Sequence, residues 1–260
     1  DSAFGGVTFG GPHTLSMRSF DSMDVIFTGA HTFTGTPTLD MAQATGGGNQ
    51  TGFFTFNGEI AGSGFRVSSS GNVNDTTSVL QIGGGEATPN SYSGKVTVLQ
   101  GSNTEDLRVE LNKAAGVTAI TGDLQMEGGA VQLQRANQIA DISNVVINRG
   151  LLNFNSQSET IASVTMFGGA LTTNPTTGTP TANSITITGD VEVTALDDAV
   201  GAIATGFTVG NNSTVTIGGQ LRIGSYGRVH LSEGATAGVL NINGGLQMTG
   251  ALLSQSNGAG

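Results

Sequence analysis

The sequence predicts an all-β fold, a parallel β-helix, with an antiparallel β-sandwich or barrel as the alternative. Three observations lead there. A figure of two short strands joined by a glycine or asparagine turn recurs through the second half. It reads LQMEGGAVQL, VINRGLLNF, TMFGGALT, ITITGDVEV, FTVGNNSTVTI, LRIGSYGRVHL and LNINGGLQM. Its turn residues are Gly129, Gly150, Gly169, Asp190, Asn212, Gly227 and Gly245, spaced 21, 19, 21, 22, 15 and 18 residues apart. A period of about twenty residues marks a solenoid. Second, the 37% of hydrophobic residues fall mostly as Val, Ile, Leu and Phe in alternation, without the broad stripe of a helical bundle. Third, the 42 glycines follow no G-x-y period and stand between alternating runs, so they are turn residues.

Each figure places apolar residues two apart on both sides of its turn. Leu124 and Met126 stand with Val131 and Leu133, and Ile185 and Ile187 with Val191 and Val193. Phe207 and Val209 stand with Val215 and Ile217, and Leu221 and Ile223 with Val229 and Leu231. Period two means strands with one face inside. Thr186, Thr188, Glu192 and Thr194 fill the intervening positions and suit the wet face. In a stacked coil the turn is a corner, where Gly or Asn accepts a positive φ. The polar insert from Asn174 to Asn183 is then expected to project from a corner. The one helix-compatible stretch, Arg135 to Ile142, is shorter than the roughly 12 residues an isolated helix needs.

The first half is less regular. Alternating pieces occur at Asp24 to Thr28, Phe53 to Phe56 and Lys95 to Leu99, with glycine runs at Gly46 to Gly48 and Gly83 to Gly85. Residues 1–60 are read as an irregular β N-terminal or capping region and 61–260 as one β-helix repeat region. A cap is expected because the last coil of a solenoid otherwise offers open strand edges.

Composition narrows the partners. Charged residues make up 11%, against about 25% in a typical domain, so the surface is polar but sparsely charged. With a net charge of −10 and nine dispersed Lys and Arg, no basic cluster exists to neutralise a phosphate backbone, and nucleic acid is excluded as a partner. The absence of cysteine removes disulfides and thiolate metal sites. No run reaches the roughly 18 apolar residues of a membrane-spanning helix. The chain opens on Asp1 without a basic and apolar leader, which fits a mature or excised segment.

Two stretches carry a family resemblance. NSYSGKVTVLQG (Asn90 to Gly101), preceded by NGEIAGSGFRVSSSG (Asn57 to Gly71), resembles the autotransporter-associated β-strand repeat, with its GxIxGxG element, strand and NTYTGxTTVxxG. GAHTFTGTPTL (Gly29 to Leu39) is an earlier echo, and the later strand, Gly-Gly, strand pattern is similar to that family's GGTLxL elements. The resemblance implies a right-handed parallel β-helix in a large secreted or surface-displayed bacterial protein. The family's C-terminal translocator barrel has no counterpart in this sequence.

Candidate chemistry is sparse. His13, His31 and His230 lack any accompanying Ser or Cys nucleophile motif and are read as incidental surface residues. His230 lies between Val229 and Leu231, so it points to water if those face the core. A polysaccharide lyase or glycosidase would need two carboxylates about 5 to 9.5 Å apart. Asp197 with Asp198 reads first as a solvated turn, and Glu192 with Glu233 is a pair only if coils bring them together. Asp75 in NVNDTT lacks the other oxygen ligands of a calcium loop. The runs at Gly46 and Gly83 lack the Lys-Ser/Thr of a phosphate loop. Tyr92 fills the aromatic position of the repeat motif and is expected to be packed, while Tyr226 at a turn is expected to be exposed. The sequons at Asn49, Asn74, Asn211 and Asn212 are the chance yield of an Asn- and Thr-rich chain.

No catalytic, cofactor-binding or metal residue is therefore assigned, and no cofactor is expected. The function expected is a non-enzymatic structural subunit of a bacterial surface or extracellular fibre, layer or adhesin stalk, self-assembling as a homo-oligomer. A glycan-binding adhesin comes second, its glycans held by Thr and Asn ladders, and a β-helix lyase or glycosidase third.

Overall fold

The computed structural model describes residues 2–19, 24–43, 52–69, 78–99, 107–194, 206–232, 236–249 and 252–256. Among these the chain is all-β, without a helix, and every strand pairing within its two compact units, Asp1–Ala140 and Asp141–Gly260, is parallel. Strands of one coil pair with the equivalent strands of the next, which builds a β-solenoid and excludes the sandwich and the barrel. The stretch from Arg135 to Ile142 holds bends, turns and a bridge at Ile139. No helix among the described residues is long and apolar enough to cross a membrane.

In the first unit each coil has three sides. The first coil comprises β1 (Ser2–Phe4), β2 (Thr8–Phe9) and β3 (Thr14–Ser19), and the second β4 (Asp24–Thr28), β5 (His31–Phe33) and β6 (Thr38–Gln43). The third comprises β7 (Gly52–Asn57), β8 (Ile60–Gly62) and β9 (Arg66–Ser68). The fourth has β10 (Ser78–Ile82) and β11 (Val96–Val98), with a bridge from Ser93 to Ser63 standing for its second side. The fifth opens with β12 (Leu107–Leu111) and closes with the first half of β13 (Leu124–Leu133). The second half of β13 starts the next coil, so this strand turns a corner without losing its ladder. Residues before position 61 thus already run in three-sided parallel coils.

The second unit repeats the plan. β14 (Asn144–Asn153) turns a corner as β13 does, and β15 (Glu159–Ile161) follows on the second side. Then come β16 (Ser163–Met166), β17 (Ala170–Thr172) and β18 (Asn183–Ile187), and next β19 (Val191–Val193), β20 (Gly206–Val209) and β21 (Ser213–Ile217). The last are β22 (Leu221–Ile223), β23 (Arg228–Ser232) and β24 (Val239–Ile242), with β25 (Leu246–Met248) and β26 (Leu252–Ser256).

Register makes the core. Val145, Val164, Val191 and Leu221 stack in one inward column, and Ile147, Met166, Val193 and Ile223 in another, all 1% exposed or less. Fully burying each such side chain contributes roughly 1.5–3 kcal/mol. The alternation read from sequence holds at every inward residue named for the four figures, except that Leu231 is only half-buried. In the first unit the column is aromatic at one end. Phe27 stacks on Phe56 with centroids 4.9 Å apart, and Phe33 meets Phe56 and Phe65 edge-on at 5.8 and 5.4 Å.

The period of about twenty needs correction. Asn144 pairs with Ser163, 19 residues on, but Val191 pairs with Leu221, 30 on, and Ala170 with Gly206, 36 on. The seven turn residues belong to three different corners. Gly129, Gly150, Gly169 and Gly227 turn the third side into the first, Asp190 and Gly245 the second into the third, and Asn212 the first into the second. A coil has several similar corners, so near-even spacing between turns is not the coil length. At the Gly169 corner φ is +69°, and an added Cβ would lie 2.4 Å from the Gly150 carbonyl oxygen on the preceding coil. Glycine is required there by both conformation and space. The insert after Asn174 does leave its corner exposed to solvent from Thr176 to Thr179.

Candidate functional site: a buried polar column at one corner

A column of buried and half-buried polar and charged groups lies at one corner of the first unit, where first-side strands turn into the second side; Asp40, Glu110 and Glu159 are buried elsewhere. Successive coils cross it at His31, Asn57 to Glu59, Gly83 to Glu86, Asn112 to Ala114 and Gln134 to Gln138. Main-chain bonds stitch it, with Gly29 N–H donating to Asn57 C=O (3.0 Å), Gly83 N–H to Phe56 C=O (2.8 Å) and Gly85 N–H to Asn112 C=O (2.7 Å). The wide turn Gly83 to Gly85, with φ of +96° at Gly83 and +88° at Gly85, carries Glu86 into the corner.

Lys113 is the centre of this column. Its side chain is completely buried, its Nζ lies 2.7 Å from Glu86 Oε1, and it also donates to the carbonyl of Gly58. Glu86 takes two further main-chain donors, Gly58 N–H at 3.1 Å and Gly84 N–H at 2.5 Å. Burial pushes the Glu86 carboxyl up, but Lys113 and these N–H groups outweigh it and hold the pKa below the ordinary glutamate value. Gln138, wholly buried, accepts from Lys113 N–H (2.8 Å) and donates to carbonyls of Ala136, Val117 and Ala114 at 3.1 to 3.3 Å. Asn90 links the neighbouring side, accepting from Ile60 N–H at 2.8 Å and donating to Ala119 C=O at 2.7 Å.

His31 lies in the same corner and is a correction to the surface reading. It is 0% exposed, because β5 alternates inward His31, outward Thr32 and inward Phe33. Nδ1 accepts from Val7 N–H at 3.2 Å, which places the proton of the neutral ring on Nε2. Nε2 is buried without a hydrogen-bond partner, and the ring stands perpendicular to Phe56 at 5.0 Å. Desolvation lowers the His31 pKa, opposed by nearby carbonyls; Lys113 lowers it further and Glu86 raises it.

The other residues singled out from sequence do not join this site. His13 is exposed and His230 is half-buried on the outward lane of β23. Glu192 lies on the outward lane of β19, in register between Thr165 and Arg222. Asp190 binds Arg222 at 2.8 Å and accepts from Gln220 N–H at 2.8 Å, and these lower its pKa. Tyr92 is packed, 3% exposed, with its hydroxyl donating to Ala119 C=O; burial pushes its phenol pKa up. Tyr226 is 53% exposed with φ of +58°. Asn212 donates to Pro180 C=O at 2.9 Å, and Asn211 is half-buried beside it. Gly46 to Gly48, Asn49, Asn74, Asp75, Asp197, Asp198 and Glu233 lie outside the described residues.

Sequence reasoning missed Lys113 and Glu86. The available signal was scarcity: in a chain only 11% charged, each follows a first-side strand by a few residues, Glu86 after Ile82 and Lys113 after Leu111. The corresponding corner of the second unit uses neutral groups instead. Thr173 Oγ1 donates to Ser213 Oγ (2.7 Å), Asn183 Nδ2 donates to the same oxygen (3.0 Å), and Gly210 N–H donates to Thr173 Oγ1 (2.8 Å). Glu159 is a further buried carboxylate, 1% exposed, in the inward column of Ile185 and Val215.

Compared with family models, curated proteins and solved structures, the chain has no significant match.

Proposed function

We propose that this chain is a non-enzymatic structural protein, a β-solenoid subunit of a bacterial surface or extracellular fibre, layer or adhesin stalk. One observation carries the reading: the buried charged groups of the first unit are spent on joining one coil to the next. Lys113 connects its own coil with those of Glu86 and Gly58, and Asp40 on β6 accepts from Ser16 on β3 (3.3 Å) and Ser68 on β9 (2.8 Å). Side chains used in this way stiffen a stack. The resemblance of Asn57 to Gly101 to the autotransporter-associated repeat supports an extracellular setting, as does the low charge of the surface. The test is electron microscopy with sedimentation velocity over a concentration series. Filaments or regular arrays are expected; single particles that stay monomeric at the highest concentration would count against self-assembly.

A second reading, glycan binding, rests on the outward lane of the second side in the second unit. Thr160, Thr186, Thr216 and Asn241 lie in register on adjacent strands, about 4.8 Å apart, with Ser184 beside Thr214. Such a ladder offers sugar hydroxyls repeated uncharged partners. A glycan array on which a Thr186→Val/Thr216→Val variant scores the same as the parent would remove this reading.

A further inference from the structure

We propose that His31 is a proton-operated latch, holding the first coil, β1 and β2, on the second at neutral pH and releasing it when the imidazole takes up a proton. The inference goes beyond the structural role and stands whether or not the protein assembles.

The geometry makes the neutral ring part of the coil contact. Val7, between β1 and β2, donates its N–H to Nδ1 of His31 at 3.2 Å and accepts from Thr32 N–H at 2.9 Å, so residues 31 and 32 grip it from both sides. An imidazolium has a proton on each nitrogen and accepts nothing. On protonation the Val7 N–H meets a donor, and a cation appears where Nε2 already lacks a hydrogen-bond partner and the ring edge meets Phe56. Water becomes the better environment for both groups, and it is reached by lifting the first coil.

The surroundings only partly offset the cost: the carbonyls of Asn57 and Phe27 favour the cation, but desolvation outweighs them. The charged groups that face His31 are Lys113 and Glu86, and these already neutralise one another at 2.7 Å. The flanking strands β2 and β8, and β7 with Phe56, contribute no titratable side chain. Asp24 starts β4 at the end remote from this corner, and Glu59, just before β8, accepts from the Ser91 hydroxyl. The first coil is thinly packed: residues 3–9 are exposed or half-buried, and Phe4, in register with Phe27, is 52% exposed. Elements with few buried apolar contacts open at small free-energy cost, so loss of one bond plus one buried charge is enough to shift their population. The direction of the His31 shift, downward, gives the sign: uptake of the proton favours the open coil, and the latch begins to weaken as pH falls below the ordinary 6.5.

Hydrogen exchange, corrected for intrinsic rates, tests this on the whole chain. Between about pH 7.5 and about pH 5, amides of residues 2–9 are expected to lose protection progressively as pH falls below 6.5, while β10 and β12 keep theirs. His31→Gln, whose amide oxygen accepts from Val7 without titrating, is expected to hold protection of residues 2–9 level across that range. The proposal is overturned if the parent shows no loss there, or if His31→Gln loses protection as the parent does. Should that variant not fold, His13→Gln/His230→Gln leaves His31 as the single imidazole for NMR titration. Its midpoint is expected below 6.5, with the Val7 amide shift following the same curve; a midpoint at or above 6.5, or a Val7 amide that does not follow, overturns the proposal.

Discussion

Lys113 Nζ lies 2.7 Å from Glu86 Oε1 and also donates to the Gly58 carbonyl, so one wholly buried side chain ties three successive coils at one corner. A buried ion pair is weak evidence of net stabilisation against an apolar isostere, but breaking one from a single side is costly, because the partner stays behind uncompensated.

Lys113→Met is therefore expected to destabilise the first unit by about 3 kcal/mol, read as a shift of the urea midpoint. Lys113→Met/Glu86→Leu is expected to recover part of that loss, though the N–H groups of Gly58 and Gly84 stay unpaired. A double-mutant cycle measures the coupling, expected to exceed about 1 kcal/mol; additive losses would show that the two residues act independently.

Acid should act on Glu86 as well as on His31, in a different range. Because the folded pKa of Glu86 lies below its ordinary 4.5, its contribution is present above that value and is lost as pH falls through the folded pKa. Urea midpoints measured over a pH series should decline below 4.5 in the parent. Glu86→Gln should start from lower stability and decline less steeply there.

Corner glycines should divide by what lies beside them. Gly169→Ala must place a methyl 2.4 Å from the Gly150 carbonyl oxygen at φ of +69°, so coils have to part, at a cost of about 3 kcal/mol or more. Gly178 has φ of +85° but lies in the exposed insert, where an added methyl would meet nothing within 4 Å. Gly178→Ala is expected to cost about 1 kcal/mol, from conformation alone. Equal thermal shifts for the two would show that coil spacing is not the limiting factor.

The aromatic column should be graded by burial. Phe56 is fully buried and touches Phe27, Phe33 and His31, so Phe56→Ala is expected to cost about 3–5 kcal/mol. Phe4, half exposed at the end of the same column, should lose under about 1 kcal/mol on truncation. Chemical denaturation of the two variants side by side checks the gradient.

Alternation, turn chemistry and the inward residues were legible along the chain, because each depends on neighbours two residues away. Leu124, Met126, Ile185 and Val215 all face inward on this ground, and Tyr92 is packed. Coil length was not legible. It is set by which strands pair, and inserts such as the one after Asn174 stretch a coil to 36 residues without disturbing any local pattern.

Local pattern along the chain was enough for the secondary-structure class, the lane of the alternating apolar side chains and the sparse charge of the surface, since period two and composition need no distant partner. Three-dimensional stacking was needed for the rest: that the strands pair in parallel between coils, that His31 is interior, and that Glu86 and Lys113, 27 residues apart, form an ion pair. The physical reason is that a solenoid brings together residues one coil apart. The length of that coil is settled by stacking of the core, which no short stretch of chain contains.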